Sequence, residues 1–485
     1  MRSPAARLLR FIAVLWLASA CSAGVFADTI YLKNGRKITA QHVVQENGQV
    51  SYETSAGRLS FPISIVDRVA HDDSSPISAS GTPADRAANL PIAPPSALAP
   101  ISPAAATAAV RDGSIDVGLL DKLESEANAN PTTTAVARLV AAESAAAQFE
   151  ISVGDFERAV DYFNVGLRYD PKNSGLLLTA AYLHLRRSEY TAALGLLDRA
   201  QATDVNSAEV AKLSGWAYYG LNRLVDAVTQ WKLAMQLKPD EEIRHALEKA
   251  ERDAREEAEY REGETPHFRL KYNGGAAPEL AHDVLRVLET QFEEISGTLD
   301  YVPPEPIGVI LYTNQTFMDI TRAPGWTGAL NDGRLRIPVE GLSSMTDELA
   351  RVLKHELTHS FISQKTGARC PVWLQEGIAQ YMEGKRSGRN AGALSAAYER
   401  HMEFSLQSYE SSWLTLPKDA ASTAYAWSLA VVESIVTVNG INDLERILER
   451  LAAGSTTEDA CRAVLHEDYP EMMLATAQFL HKAYL

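Results

Sequence analysis

Between residues 118 and 262 apolar side chains recur at helical spacing, and the recurrence is itself periodic. Ala159, Ala193 and Ala227 stand 34 residues apart, as do Phe156, Tyr190 and Leu224, and Phe163, Leu197 and Trp231. Small residues return at the same interval, at Ala147, Ala181 and Gly215 and again at Gly166, Ala200 and Ala234. Such a period, with small side chains where helices cross, predicts stacked helical hairpins over about 140–241, a leading helix within 118–139 and a charged capping helix over 241–262. The small residues are packing positions and carry no chemistry.

The pattern differs on either side. Over residues 28–70 apolar and polar positions alternate at Ile30 and Leu32, at Val50 and Tyr52, and at Leu59 and Phe61, while Asn34-Gly35 and Asn47-Gly48 are hairpin signals. This predicts a small β unit. Residues 71–117, rich in Pro, Ala and Ser, read as an extended linker. From 265 to 485 the pattern is mixed, predicting an α+β domain. Phe268–Tyr272 and Ile307–Leu311 read as strands, Pro278–Ser296 as an amphipathic helix, Gln315–Thr321 as a short helix, and Asn331-Asp332-Gly333 as a turn before a strand at Arg334–Val339.

One helix in this last domain carries chemistry. It starts at a capping-box-like Ser344-x-x-Asp347, ends at Gly367, and contains His355-Glu356-Leu357-Thr358-His359. On a helix His359 lies about 40° around from His355, and Glu356 about 100°. Two imidazoles one turn apart can take adjacent corners of a tetrahedral Zn²⁺ site, with the neighbouring Glu placed to take a proton from water. Leu353, Leu357 and Phe361 cover the opposite side of this helix, so it is buried and its histidines point into the protein. Glu376, seventeen residues past His359 in Trp373-Leu374-Gln375-Glu376-Gly377-Ile378-Ala379-Gln380-Tyr381, can complete a His₂Glu set from an adjoining helix that Gly377 and Ala379 bring close.

The pair HELTH and WLQEGIAQY resembles the gluzincin zinc metallopeptidases, in particular the bacterial peptidase MA-like group. The resemblance implies that His355, His359 and Glu376 are the metal ligands of one Zn²⁺ and that Glu356 is general base and acid. It also implies a substrate strand added along the edge near Arg334–Val339. The Tyr425-Ala426-Trp427-Ser428 segment matches a Tyr-x-x-Ser segment common in that group, which makes Tyr425 either an oxyanion-stabilising phenol or a core tyrosine. Where the thermolysin branch has an Asp supporting a ligand His, this chain has Gln380. The periodic region resembles three tetratricopeptide repeats, which imply either a binding surface for a partner or substrate chain or a rigid spacer. The β unit resembles the SH3-like modules of exported bacterial proteins.

Composition narrows the setting. With 485 residues, 46% hydrophobic and 22% charged, the chain can fold as several domains, and a net charge of −16 argues against nucleic acid and anionic membrane surfaces as partners. Arg2, Arg7 and Arg10 precede a short apolar run, Phe11–Ala20, predicting a signal peptide over residues 1–27 and an exported, periplasmic or secreted protein without a transmembrane helix in its mature form. A competing reading acylates Cys21 as a lipoprotein. Cys370 and Cys461 then either pair or stay as buried thiols. Gly384–Gly392, with Lys385, Arg386 and Arg389, reads as a flexible basic loop.

The sequence therefore predicts a zinc-dependent endopeptidase or aminopeptidase-like hydrolase of peptide bonds, to which the repeats bring a substrate or partner protein. The alternative is a cell-envelope binding scaffold whose zinc domain is weakly active or inactive, and hydrolysis of cell-wall peptides is a third option.

Overall fold

The 34-residue period folds as helical hairpins, and a side chain caps the first helix of each. The structure, a computed structural model, describes residues 27–32, 37–46, 49–54, 57–63, 66–70, 108–111, 114–273, 278–312, 330–331, 333–339, 342–401, 405–410, 413 and 418–485. The signal segment, Cys21, the two Asn-Gly turns, linker residues 71–107 and the helix expected at 315–321 lie outside the described residues.

The chain divides into two units, 1–80 and 81–485. In the first, β1 (Ala27–Leu32), β2 (Lys37–Glu46), β3 (Gln49–Thr54), β4 (Gly57–Pro62) and β5 (Val66–Ala70) form an antiparallel sheet in the order β4-β3-β2-β1-β5. The register pairs Val50 with Phe61 and Tyr52 with Leu59.

The second unit opens with a short hairpin, β6 (Val110–Arg111) and β7 (Ser114–Ile115), inside the stretch expected as linker. Next to it Ala109 shares a core with Leu120 and Leu123 of α1 (Val117–Ala129) and Leu139 and Ala142 of α2 (Thr133–Val153). The hairpins follow as α2 with α3 (Phe156–Tyr169), α4 (Ser174–Arg186) with α5 (Tyr190–Gln201), and α6 (Ala208–Gly220) with α7 (Leu224–Leu237). Thr132, Asp155, Asn173 and Ser207 cap α2, α3, α4 and α6 by accepting from first-turn backbone N–H groups. Helix α8 (Glu241–Glu256) closes the array. It is shorter than the expected 241–262 segment, because Arg261–Glu264 leaves as strand β8 and joins the next domain's sheet.

That sheet runs β11-β12-β10-β9-β8, with β9 (Phe268–Tyr272), β10 (Ile307–Tyr312) and β12 (Arg334–Pro338) parallel, and β8 and the short β11 (Leu330–Asn331) antiparallel at its edges. One face is apolar. Phe268, Leu270, Val309, Leu311, Leu335 and Ile337 pack with α9 (Pro278–Leu299) and α10 (Asp347–Thr366). The other face carries Arg334 and Arg336, both 1% exposed, and the end of the repeat array covers it. Asp253 of α8 receives Arg336 Nη2 at 2.6 Å and Arg334 Nη1 at 3.3 Å, and Tyr312 donates to Glu257 at 3.0 Å. Charges buried this deeply persist only when paired, and these are.

The repeats also dock along the row of their own turns. Gly154, Ser188 and Asn222 recur at the repeat interval, and all adopt left-handed backbone with φ of 87°, 60° and 59°. A Cβ at Gly154 would meet Gly454 Cα at 3.0 Å, Arg186 Nη2 reaches the Gly367 carbonyl at 3.5 Å, and Arg269 Nη1 donates to the Leu221 carbonyl at 3.2 Å.

The C-terminal part contains α11 (Val372–Met382), α12 (Ala391–Glu399), α13 (Lys418–Val438), α14 (Ile441–Ala452), α15 (Thr457–Leu465) and α16 (Tyr469–Tyr484). The segment expected as a basic loop, 384–392, is mostly exposed, Lys385, Arg386 and Arg389 included, but it is pinned at Ser387 and Ala391. Ser387 is 1% exposed, and its N–H donates to Glu433 at 2.7 Å. The Ala420–Val438 stretch of α13 is long and apolar enough to cross a membrane, but Ala424, Trp427, Ala430, Val431 and Val432 bury it in the domain core. Cys370 and Cys461 are buried free thiols in that same core.

Candidate metal centre

Helix α10 is capped by Thr346, whose side chain accepts from Leu349 N at 3.1 Å, two residues later than the expected Ser344 start. Asp347 and Glu348 fill its first turn, where the helix dipole favours anions, and Gly367 ends it in left-handed conformation. Leu353, Leu357 and Phe361 are fully buried, which fixes the rotation of the helix and turns His355 and His359 toward α11.

The three predicted ligands meet. One donor atom from each of His355, His359 and Glu376 lies within 4.8 Å of the others. The two Nε2 atoms are 3.2 Å apart, and Glu376 Oε2 sits 3.4 Å from His355 Nε2 and 3.7 Å from His359 Nε2. Glu376 Oε2 is buried, yet no protein group meets it in a well-formed hydrogen bond. A carboxylate oxygen so placed, facing two converging imidazole nitrogens, is a donor set suited to a tetrahedral divalent cation. These residues fit zinc.

The electrostatics follow from burial and neighbours. Burial alone would lower the pKa of His355, but the Glu376 and Glu383 carboxylates outweigh it and raise it to about 10. Burial lowers His359 to about 4 and raises Glu356 to about 7, the latter against the pull of His355. Glu356 is 8% exposed on the same helix. Tyr425 of α13 has its pKa raised well above the usual phenol range, first by the charge of Glu376, then by burial and Glu356, so its hydroxyl lies in the field of the centre. Its ring stands edge-on to Trp413, with centroids 5.0 Å apart.

One correction concerns the second helix. Gly377 brings α11 close to α13 rather than to α10, since a Cβ there would lie 2.4 Å from the Ser428 carbonyl oxygen. Gln380 supports no histidine, because its Nε2 donates to the carbonyls of Tyr425 at 3.0 Å and Glu376 at 3.2 Å. Sequence reasoning missed the groups that do face the histidines. His355 Nδ1 lies 3.3 Å from Glu383 Oε1, and His359 hydrogen-bonds the Gln375 side chain, whose Nε2 donates to the Cys370 carbonyl at 2.8 Å. The spacing from Glu376 to Glu383, two helical turns, was the available signal.

The Peptidase MA superfamily profile matches residues 295–474, which contain the whole centre, and a tetratricopeptide-repeat profile matches residues 150–217. The chain carries a Peptidase MA superfamily domain, with a tetratricopeptide-repeat region N-terminal to it. No curated protein matches the chain. Among solved structures, the first TPR domain of the human RPAP3 protein, determined by NMR, is similar at 21% identity over 23% of this chain and 87% of its own, with a TM-score of 0.22. Within the matched residues, α10 carries His355 and His359, α11 carries Glu376 and α13 carries Tyr425. The tetratricopeptide region ends at the sheet's charged face.

Proposed function

We propose that this protein is a zinc-dependent peptidase that hydrolyses peptide bonds, exported from the cytoplasm, with repeats that engage a protein substrate or partner. The observation that carries the reading is the convergence of His355, His359 and Glu376 beside Glu356 on one buried helix pair. The superfamily profile supports it. Bound at this centre, Zn²⁺ supplies Lewis acidity and lowers the pKa of a water. Glu356 takes a proton from the attacking water and delivers it to the leaving amine, and its buried setting favours such two-way transfer near neutral pH. Tyr425, kept protonated by the carboxylates around it, donates its O–H to the oxyanion of the tetrahedral intermediate. An intact general base beside three convergent ligands favours an enzyme over a scaffold with a silent zinc domain.

Export rests on Arg2, Arg7, Arg10 and the apolar run that follows, with signal-peptide removal preferred over acylation at Cys21. The strand order of the N-terminal sheet supports an SH3-like docking module. The repeats are held to the Peptidase MA domain at their turns, so a partner would use their remaining faces.

Metal analysis of the purified protein beside His359→Ala tests the reading. The expected result is about one zinc per chain, lost in the variant. A folded wild-type protein without zinc affinity would overturn it.

A further inference from the structure

Helix α11 and the residue that caps its C-terminus, Glu383, present two carboxylates to His355, one on each side of the ring. Glu376 Oε2 is 3.4 Å from Nε2, on the side of the ligand cluster, while Glu383 Oε1 is 3.3 Å from Nδ1, on the side away from it. Seven residues on a helix return to nearly the same face, so one helix can flank the imidazole with both groups. The Glu383 side chain is only 6% exposed. Its other partner, Lys385 Nζ at 2.7 Å, is 56% exposed, so the buried contact is the one to His355.

The chemistry of imidazole makes this contact consequential. A neutral ring has one N–H and one lone pair, and only the lone-pair nitrogen can bind a metal. Glu383 Oε1 meets Nδ1 as a close charge contact rather than a well-formed hydrogen bond, and a carboxylate there favours the proton on Nδ1 and leaves Nε2 free, on the same side as His359 Nε2. His359 has a weaker arrangement, since its support is the neutral Gln375 amide. Gln380 is engaged with main-chain carbonyls and is not available to either ring.

We propose that Glu383 is a positioning residue of the metal centre, holding His355 in the Nδ1–H tautomer and in the orientation that presents Nε2 to the metal. The proposal rests on the zinc reading of the same site and adds a residue that touches neither metal nor substrate.

Chelator competition measures zinc affinity in wild type, Glu383→Gln, Glu383→Ala and Lys385→Ala, with circular dichroism of each metal-free protein as the folding control. The cobalt-substituted forms give a visible absorption spectrum that reports ligand geometry. Zinc affinity should fall about 10- to 100-fold in Glu383→Ala, the range for loss of a carboxylate behind a ligand histidine, and the cobalt bands should shift. Glu383→Gln should fall about threefold or more but less than Glu383→Ala, because its amide keeps an oxygen beside Nδ1 without the charge, while Lys385→Ala should stay within about twofold of wild type. Where Glu383→Ala fails to fold, the isosteric Glu383→Gln decides. Both Glu383 variants binding zinc like wild type would overturn the proposal while leaving the zinc reading intact. An equal loss in Lys385→Ala would reduce Glu383 to a helix-end ion pair. A wild type that binds no zinc would remove both.

Discussion

Gly377 lies against the main chain of Ser428, so closely that a Cβ at 377 would sit 2.4 Å from the Ser428 carbonyl oxygen and 2.6 Å from Val432 Cγ2. This contact sets the distance between the helix that carries Glu376 and the helix that carries Tyr425. Gln380 ties the same pair by donating to the Tyr425 carbonyl at 3.0 Å. Gly377→Ala should therefore push α11 and α13 apart, costing about 1–3 kcal/mol of stability and weakening zinc binding together. Gly297→Ala is the control. That glycine is exposed in α9 with nothing within 4 Å of an added Cβ, and the change should stabilise by about 0.5–1 kcal/mol. Thermal melts of the two variants check the contrast, and equal effects would refute the close-contact account.

Glu356→Gln separates binding from chemistry. The variant should keep its zinc, because the candidate ligand atoms belong to His355, His359 and Glu376. Hydrolysis of a denatured protein substrate, followed by mass spectrometry, should drop by about 10²- to 10⁴-fold, the usual contribution of a positioned general base. Full activity in this variant would exclude Glu356 from the reaction.

Asp253 anchors the charged face of the sheet. Burial would raise its pKa, but Arg336, Lys249 and Arg334 together hold it well below the usual carboxylate range. A depressed folded-state pKa contributes stability that is fully present above the unfolded value, near 4, and is lost as pH falls through the folded value. Asp253→Asn leaves Arg334 and Arg336 buried without that charge and should cost about 3–5 kcal/mol at pH 7. The penalty should shrink as pH falls below about 4. Melting temperatures of both proteins at pH 7 and pH 3.5 measure this, and a pH-independent difference would contradict it.

Glu143 shows the opposite sign. It is 3% exposed on α2, and burial, with Glu124 and Asp121 nearby, raises its pKa to about 7. A carboxyl that folds in its neutral form loses stability for the fold as pH rises from the unfolded value near 4.3 to about 7, beyond which the loss is constant. Glu143→Gln removes this slope and should gain on the order of 2 kcal/mol more at pH 8 than at pH 4.5. Urea melts at the two pH values test it, and an equal shift at both would show that Glu143 does not titrate in this range.

The sequence by itself determined the local elements and the candidate ligand cluster. The recurrence of Ala159, Ala193 and Ala227 is a packing rule written into every repeat, so it predicts helix pairs without knowledge of their surroundings. The spacing of His355 and His359 is likewise a property of one helix, and Glu376 follows within a short connection. Only the tertiary structure decided what faces what. The alternation Arg334-Leu335-Arg336-Ile337 reads as a strand with one solvated side, but the charged side is buried because Asp253 and Glu257, some eighty residues earlier, neutralise it. Pairing at that separation leaves no periodic trace in one chain. The same holds for Glu383, whose sequence position suggests a helix end and whose contact with His355 Nδ1 exists only because two helices pack at one particular rotation. Local periodicity survives in sequence because neighbours along a helix are neighbours in space, whereas the partner of a buried charge is chosen by the fold.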